Sequence, residues 1–276
     1  MDDSSVAAAL SRVVLVANQK GGVGKSSIVA AVAGMVARPK SRVLVVDADP
    51  HMSGTRMLGV AVERTLGQLR SAYERQFKLG PDDVDETREE FAERKMGKEA
   101  LVRAGGFDLL AMGHWELVGS QCTVNRVLER ALDGLAGRYD VLIIDNEAGV
   151  EHIGRYASQQ VDLLLVVSQP DAEFLEVAQQ IWARCREVGR RVDAARLVLN
   201  RVQDGDLEDP GLLARLDELG RGGLAYAGAL PESAGLRKLS RPGQSASALP
   251  ADDPWRVAAA ELLGREVQET IGVEVA

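Results

Sequence analysis

Cysteine and long apolar runs are scarce in this 276-residue chain. Only Cys122 and Cys185 are present, which excludes a disulfide framework and suits a reducing cytosol. No apolar run approaches the roughly 20 residues that a transmembrane helix needs, and the one near the acidic N-terminus is too short for a secretory signal. The sequence therefore predicts a soluble cytoplasmic protein with no membrane association.

Basic charge is scarce as well. There are 41 acidic residues and 33 basic ones, so the formal net charge is −8. No strongly basic face for nucleic acid is evident, although an acidic protein can still carry a local basic patch. We therefore do not expect nucleic acid as a partner.

Short runs of Val, Leu and Ile are abundant, and each is followed by a turn and a helical pattern. Their near-continuous hydrophobicity is typical of strands that helices cover on both faces. The alternation predicts an α/β fold with a mainly parallel sheet flanked by helices, in a single domain over 1–276. The predicted strands are 13–17, 43–47, 107–112, 141–145, 163–168 and 196–200, and the predicted helices include 25–37, 123–136, 172–188 and 210–219.

Two segments depart from this alternation. Residues 61–104 are highly charged and predict a helical insertion, which is either a solvated surface or a docking surface for a partner protein. Near the C-terminus, Asp253 and Pro254 predict the start of a helix. Its polar face includes Glu266, whereas a membrane-binding amphipathic helix is normally basic. We therefore expect this last helix to pack on the domain.

The stretch KGGVGKSS (20–27) lies between a predicted strand and a predicted helix, which is the setting of a phosphate-binding loop. Its glycines allow a tight turn with inward-pointing N–H groups, and the helix N-terminus adds partial positive charge. Lys25 would bridge the β- and γ-phosphates, and Ser26 would offer its hydroxyl to Mg²⁺. A fortuitous glycine-rich turn is the alternative. The predicted nucleotide contacts here are Gly21, Gly22, Val23, Gly24, Lys25, Ser26 and Ser27.

Carboxylates end two of the predicted strands. Asp47 and Asp49 lie two residues apart, so their side chains point the same way. Asp145 follows four apolar residues and suits an outer-shell magnesium ligand. Four residues later, Gly149 would bring a backbone N–H to the γ-phosphate and move when that phosphate leaves. For the first pair, a capped strand end is the alternative.

The stretch ANQKGGVGKSS (17–27) resembles the deviant phosphate loop of a family that includes the ParA and MinD partition ATPases, nitrogenase iron protein and several metallochaperone ATPases. In that family the first lysine of the loop, here Lys20, reaches across a dimer to the partner's nucleotide. A cation supplied in trans couples hydrolysis to dimerisation. The resemblance implies an ATPase that uses Mg²⁺ and forms a homodimer on binding ATP.

The same resemblance implies roles for residues far from the loop. Asp49 matches the carboxylate that positions the attacking water, and Asp47 lies near the Mg²⁺ shell, so the implied catalytic set is Lys20, Lys25 and Asp49. Asn200 matches an asparagine that hydrogen-bonds the adenine edge, although asparagine also ends strands for turn reasons alone. The loop GALPES (228–233) would pass over the base. The nucleotide-binding set therefore also includes Arg201, Pro231 and Glu232.

One branch of the family is favoured by DNEAGVEHIGR (145–155), which strongly resembles the D-N/T-E-A-G-x-E-H-x-x-R stretch of CooC-type ATPases. In partition ATPases, prolines commonly follow the aspartate. CooC-type ATPases assist nickel insertion during maturation of carbon monoxide dehydrogenase. The resemblance covers nearly the whole chain, and it implies a metallochaperone whose client is a metalloenzyme such as carbon monoxide dehydrogenase.

The transition-metal motif of that branch is altered here. The family carries Cys-x-Cys before an asparagine, and alignment on Asn125 puts Ser120 and Cys122 in those places. Two Cys-x-Cys loops across a two-fold axis would offer four thiolates to Ni²⁺ or Zn²⁺, whereas this chain would offer two. We predict that His114 completes a two-Cys, two-His site in the dimer. A lone packed cysteine is the alternative, and Cys185 is expected in the core.

Two other functions stay open. A ParA/MinD-like partition or positioning ATPase, acting on DNA or a membrane, explains the phosphate loop well and DNEAGVEHIGR poorly. A redox partner like nitrogenase iron protein needs cysteines from each subunit for an iron–sulfur cluster, and only one candidate cysteine is present.

Overall fold

The chain folds around one mixed sheet with helices on both faces, as seen in a computed structural model of the protein. The sheet order is β3-β4-β2-β5-β1-β6-β7-β8, and every neighbouring pair is parallel except β3 and β4. The predicted, mainly parallel α/β architecture is confirmed. The structure describes residues 11–18, 21–77, 95–114, 128, 131–132, 135, 137–146, 160–189, 191–239 and 245–275.

All six predicted strands are present, with shifts of a few residues at their ends. The strands are β1 Arg12–Ala17, β2 Val43–Asp47, β3 Leu101–Ala104, β4 Phe107–Ala111, β5 Val141–Asp145, β6 Val161–Ser168, β7 Val192–Val202 and β8 Ala225–Pro231.

The helices begin where the sequence supplies N-caps. Asp171, Asp209 and Asp253 each accept a hydrogen bond from the first turn of the helix that follows, and proline occupies the first position of the latter two helices. The described helices are α1 Lys25–Val36, α2 Ser53–Leu58, α3 Leu66–Phe77, α4 Ala172–Glu187, α5 Pro210–Arg221, α6 Ala234–Leu239 and α7 Pro254–Ile271. None of them is long and apolar enough to cross a membrane.

The two faces of the sheet bury separate cores. Side chains of Leu15 and neighbours pack with α4 and α5, while those of Val14 and Val16 pack with α1 and α7. Cys185 is buried in the first core, as expected. Each fully buried Leu, Ile or Val contributes about 1.5–3 kcal/mol relative to an exposed one. The central strands bury apolar side chains in both cores, which explains their continuous hydrophobic runs.

Three expectations need correction. The segment 61–104 is not entirely helical, because its last four residues form β3, an edge strand antiparallel to β4. The segment 228–233 is not simply a loop, since its first four residues belong to β8; a proline is tolerated at the end of such an edge strand. Glu266 is not on a polar face, because it is buried and pairs with Arg196 at 2.7 Å.

The predicted helix over 123–136 lies mostly outside the described residues. Three members of its apolar face, Leu128, Leu132 and Leu135, are buried in the first core.

Candidate functional site

The turn between β1 and α1 is shaped by glycine. Gly22 and Gly24 have φ angles of 83° and 94°, which L-residues with a side chain rarely adopt. A Cβ on Gly24 would lie 2.0 Å from Asn200 Nδ2, so no side chain fits there. The first turn of α1 has neither a side-chain cap nor an acidic residue. Its backbone N–H groups and helix dipole therefore form a ready site for an anion.

Lys25, the first residue of α1, pairs with the carboxylate that ends β5. Lys25 Nζ lies 2.8 Å from Asp145 Oδ1, and the Asp145 side chain is fully buried. The Ser26 hydroxyl also hydrogen-bonds Asp145. Burial raises the pKa of Asp145, while Lys25 and Ser26 oppose that rise and Asp49 adds to it. The ammonium group is therefore held at the mouth of the turn by a carboxylate that depends on it for charge balance.

A second buried carboxylate lies at the same level on the neighbouring strand. Asp47 ends β2 in register with Asp145. Its Oδ2 accepts hydrogen bonds from Thr55 N at 2.6 Å and Thr55 Oγ1 at 2.7 Å, and its Oδ1 accepts one from Asp49 N at 3.2 Å. Burial, followed by repulsion from Asp145, raises the pKa of Asp47 to about 7. Asp47 therefore anchors the start of α2 beneath the site.

The two carboxylates converge on Gly54. A Cβ at that position would lie 2.7 Å from Asp145 Oδ2 and 3.2 Å from Asp47 Oδ2. Asp145 Oδ2 is buried and has no hydrogen-bond partner within the described part of the chain. The oxygen atoms near this position belong to carboxylates and a hydroxyl, which are the ligand types that Mg²⁺ prefers. Ser26 and Asp145 would therefore suit a Mg²⁺ ion that is held mainly by nucleotide phosphates and water, since Mg²⁺ needs few protein ligands in such sites.

A cavity of about 710 Å³ opens above these groups. This volume is in the range of small-molecule and cofactor sites. The cavity is lined by residues from the phosphate loop together with Asp49, Asn200, Arg201, Pro231 and Glu232, which come from distant parts of the sequence. Asp47 and Asp145 lie beneath its lining. Residues that the sequence did not single out for a site also line it: Ser53, Arg56, Met57, Leu236, Arg237, Leu239 and Trp255.

Asn200 is held on two sides. Its Nδ2 donates to the Val23 carbonyl at 2.7 Å, and its Oδ1 accepts from Trp255 Nε1 at 2.9 Å. The side chain is buried at the end of a strand where the β7–β8 register shifts and Arg201 takes a φ of 62°. Trp255 gave no local signal of a site, because a tryptophan in the first turn of a helix is typical of core packing.

Several predicted site residues cannot be placed in the site. Lys20, Cys122, Ser120, Asn125 and Gly149 lie outside the described residues. His114 is exposed just beyond β4. Within the described residues, no group of three or more His, Cys, Asp or Glu could hold a metal ion by itself. The Ni²⁺ or Zn²⁺ site therefore stays a prediction.

Asp47 should make the nucleotide-free protein less stable as pH rises. The unfolded aspartate ionises near 3.8, whereas the folded one retains its proton to about 7. The stabilisation is complete below pH 4 and is lost as pH rises through 7. Urea unfolding without Mg²⁺ should show a loss of about 2 kcal/mol between pH 5.5 and 7.5.

The matched variant Asp47→Asn should flatten that dependence. Asp252→Asn, at an exposed turn before α7, serves as the control and should keep the wild-type slope. Equal slopes in wild type and Asp47→Asn would contradict the assignment.

Known proteins resemble this chain in sequence and in fold. Residues 11–197 match the family described as AAA domain. An uncharacterized ATP-binding protein of Methanocaldococcus jannaschii is 32% identical over 190 residues, which cover 69% of this chain and 75% of that protein. The carbon monoxide dehydrogenase accessory protein CooC of Rhodospirillum rubrum is 36% identical over 194 residues, which cover 62% of this chain and 68% of CooC.

Among solved structures, the septum site-determining protein MinD complexed with Mg-ADP, from Pyrococcus horikoshii, has the same fold. Its TM-score is 0.66 at 19% identity, and the match covers 93% of this chain and 96% of MinD.

Proposed function

The chain belongs to the AAA domain family and is an ATPase with the fold of ParA and MinD, and from this premise we propose that it is a Mg-ATP-driven dimerisation switch that serves maturation of a metalloenzyme. The observation that carries the nucleotide part of the proposal is the Lys25–Asp145 pair at 2.8 Å above a buried second carboxylate, at the mouth of an uncapped helix.

Binding of ATP would exchange the partners of this pair. The phosphates offer Lys25 a more highly charged partner than one carboxylate, and the N–H groups of the α1 terminus bind the same oxygens. Asp145 would then lose its ammonium partner, and its unpartnered Oδ2 would be free to hold a magnesium-bound water. When bound, Mg²⁺ neutralises charge on the phosphates. The exchange ties nucleotide occupancy to the ends of β2 and β5.

In this proposal, Asp49 acts on the attacking water. Asp49 lines the cavity two residues after the end of β2. Its backbone N–H donates a hydrogen bond to Asp47 Oδ1, which holds it in place. Its Oδ1 accepts a hydrogen bond from His51 N at 2.8 Å, which leaves Oδ2 to orient water. A carboxylate held in this way contributes by positioning more than by basicity.

Service to a client metalloenzyme is supported by the CooC relative at 36% identity and by the DNEAGVEHIGR stretch (145–155). In this proposal, ATP brings two subunits together, their Cys122 and His114 side chains form one Ni²⁺ or Zn²⁺ site, and hydrolysis releases metal or client. Cys122 is outside the described residues, and His114 is exposed, so nothing in the described part of the chain covers the imidazole.

Nickel and zinc titrations of the reduced protein test the metal site. With Mg²⁺ and a non-hydrolysable ATP analogue, we expect one tightly bound ion per dimer, because two thiolates and two imidazoles complete a tetrahedral set. Cys122→Ser and His114→Ala should each weaken binding at least tenfold, and Cys185→Ala, in the core, should not. Binding no tighter in the wild type than in Cys122→Ser would reject the site.

A positioning ATPase like MinD is the second candidate, because the fold of MinD covers nearly the whole of both chains. Such a protein would bind nonspecific DNA or lipid vesicles only with ATP, and DNA binding would fall steeply with salt. ATP-dependent binding of this kind, together with absence of metal binding, would favour this candidate over the metallochaperone.

A further inference from the structure

Trp255 links the last helix to the cavity. It lies in the first turn of α7, is 2% exposed, and still contributes to the cavity lining. The turn is firmly held, because Asp253 Oδ1 accepts from Trp255 N at 3.0 Å and from Arg256 N at 3.3 Å. Arg256 in turn donates to the Leu249 carbonyl at 2.6 Å. The indole N–H is therefore aimed at Asn200 Oδ1 by a rigid support.

The indole and the phosphate loop together leave the Asn200 amide one orientation. With Nδ2 on the Val23 carbonyl and Oδ1 on the indole N–H, both contacts pair a donor with an acceptor. Rotating the amide by 180° would set Nδ2 against the indole N–H and Oδ1 against the carbonyl. Both contacts would then be repulsive in a buried site, where an unmade hydrogen bond is costly.

The locked amide has capacity left for a ligand. A carboxamide has two N–H donors and two lone pairs on its oxygen. Within the described residues, one donor and one acceptor are used, so one of each remains, and their positions cannot be exchanged because the amide cannot rotate. The two purines differ in the hydrogen-bonding group at position 6. Adenine has an amino donor there, and guanine has a carbonyl acceptor.

We propose that Trp255 is a positioning residue that locks the Asn200 amide with the remaining Oδ1 lone pair toward position 6 of the base, so that the site selects adenine over guanine. This inference rests on the proposed nucleotide-binding function. A freely turning amide serves either purine, because it can offer its donor or its acceptor to the atom at position 6. The lock removes that choice by fixing the orientation of the Asn200 amide.

The test compares Trp255→Phe with Trp182→Phe. Trp182 Nε1 donates to the Gly222 carbonyl at 2.8 Å, away from the cavity, so its substitution removes a matched indole hydrogen bond. Dissociation constants for Mg-ATP and Mg-GTP are measured by calorimetry. Trp255→Phe should lower the preference for ATP about tenfold, the worth of one buried hydrogen bond, partly by tighter GTP binding. Trp182→Phe should leave the ratio unchanged.

Two further variants keep the test decisive. Benzothienylalanine at position 255 retains the bicyclic ring, lacks the N–H, and should reproduce the fall in preference even if phenylalanine leaves a disruptive gap. Asn200→Ala should remove most of the preference, and adding Trp255→Phe to it should change nothing more, because Trp255 acts only through Asn200.

The outcomes separate the two proposals. A wild type that binds neither nucleotide defeats the proposed function and the lock together. A wild type that prefers ATP, with equal loss of ATP and GTP affinity in both position-255 variants, overturns only the lock, as would additive effects in the double variant.

Discussion

Replacing Lys25 with alanine should abolish ATP binding at micromolar concentrations. The change removes the cation that the phosphates would bind, and it leaves the fully buried Asp145 without its charge partner. Truncating one partner of a buried charge pair costs about 2–5 kcal/mol. We therefore expect affinity to fall at least about 30-fold, since 1.4 kcal/mol corresponds to a factor of ten. Titration with a fluorescent ATP analogue measures the loss.

Lys40→Ala is the matched control. Lys40 is exposed in the turn after α1, outside the cavity lining, and its removal also costs one positive charge. It should bind ATP as the wild type does, which separates a local effect from a change in net charge. Unchanged ATP affinity in Lys25→Ala would remove the assignment of the turn between β1 and α1 as a phosphate-binding loop.

Replacing Lys20 with alanine should leave ATP affinity within about threefold of the wild type and lower turnover by roughly 10³-fold, as for loss of a cation supplied in trans. Lys20 is outside the described residues, and its role follows from the resemblance to deviant phosphate loops. The variant should also fail to dimerise with ATP, because its partner's phosphates lose one of their cations. Sedimentation with a non-hydrolysable analogue measures dimerisation, and phosphate release measures turnover.

Mixing the two variants gives a sharper test. A Lys20→Ala subunit retains Lys25 and can bind ATP, while a Lys25→Ala subunit retains Lys20 and can supply it across the interface. Turnover should therefore rise on mixing two nearly inactive proteins. No rise on mixing, or a wild-type turnover per subunit that is independent of protein concentration, would contradict the role in trans.

Part of the site has local causes, whereas the roles of Asn200, Arg201, Pro231 and Glu232 were implied only by the family resemblance. Positive φ at Gly22 and Gly24, an uncapped helix start and carboxylates at strand ends all depend on residues within a few positions of one another. The continuous apolar runs likewise indicated strands covered on both faces. The fold and the position of the phosphate loop could therefore be predicted.

Edge elements and charged core residues were predicted less well. β3 and β8 are the two edges of the sheet. β3 is short and carries an arginine, and β8 contains a glycine and ends in a proline, so their pattern differs little from that of a helix or loop. Glu266 counted as exposed because its partner, Arg196, is 70 residues away in sequence.

The amino-acid sequence alone determined the sheet, the phosphate loop and the acidic strand ends, since backbone preference and hydrophobic period act over neighbouring residues. Only the tertiary structure decided that Trp255 holds Asn200, 55 residues away, and that Asn200 holds Val23, 177 residues away. Such pairs leave no pattern in the local sequence. They form only when folding brings β7, α7 and the phosphate loop together, so that distant groups come within hydrogen-bond distance.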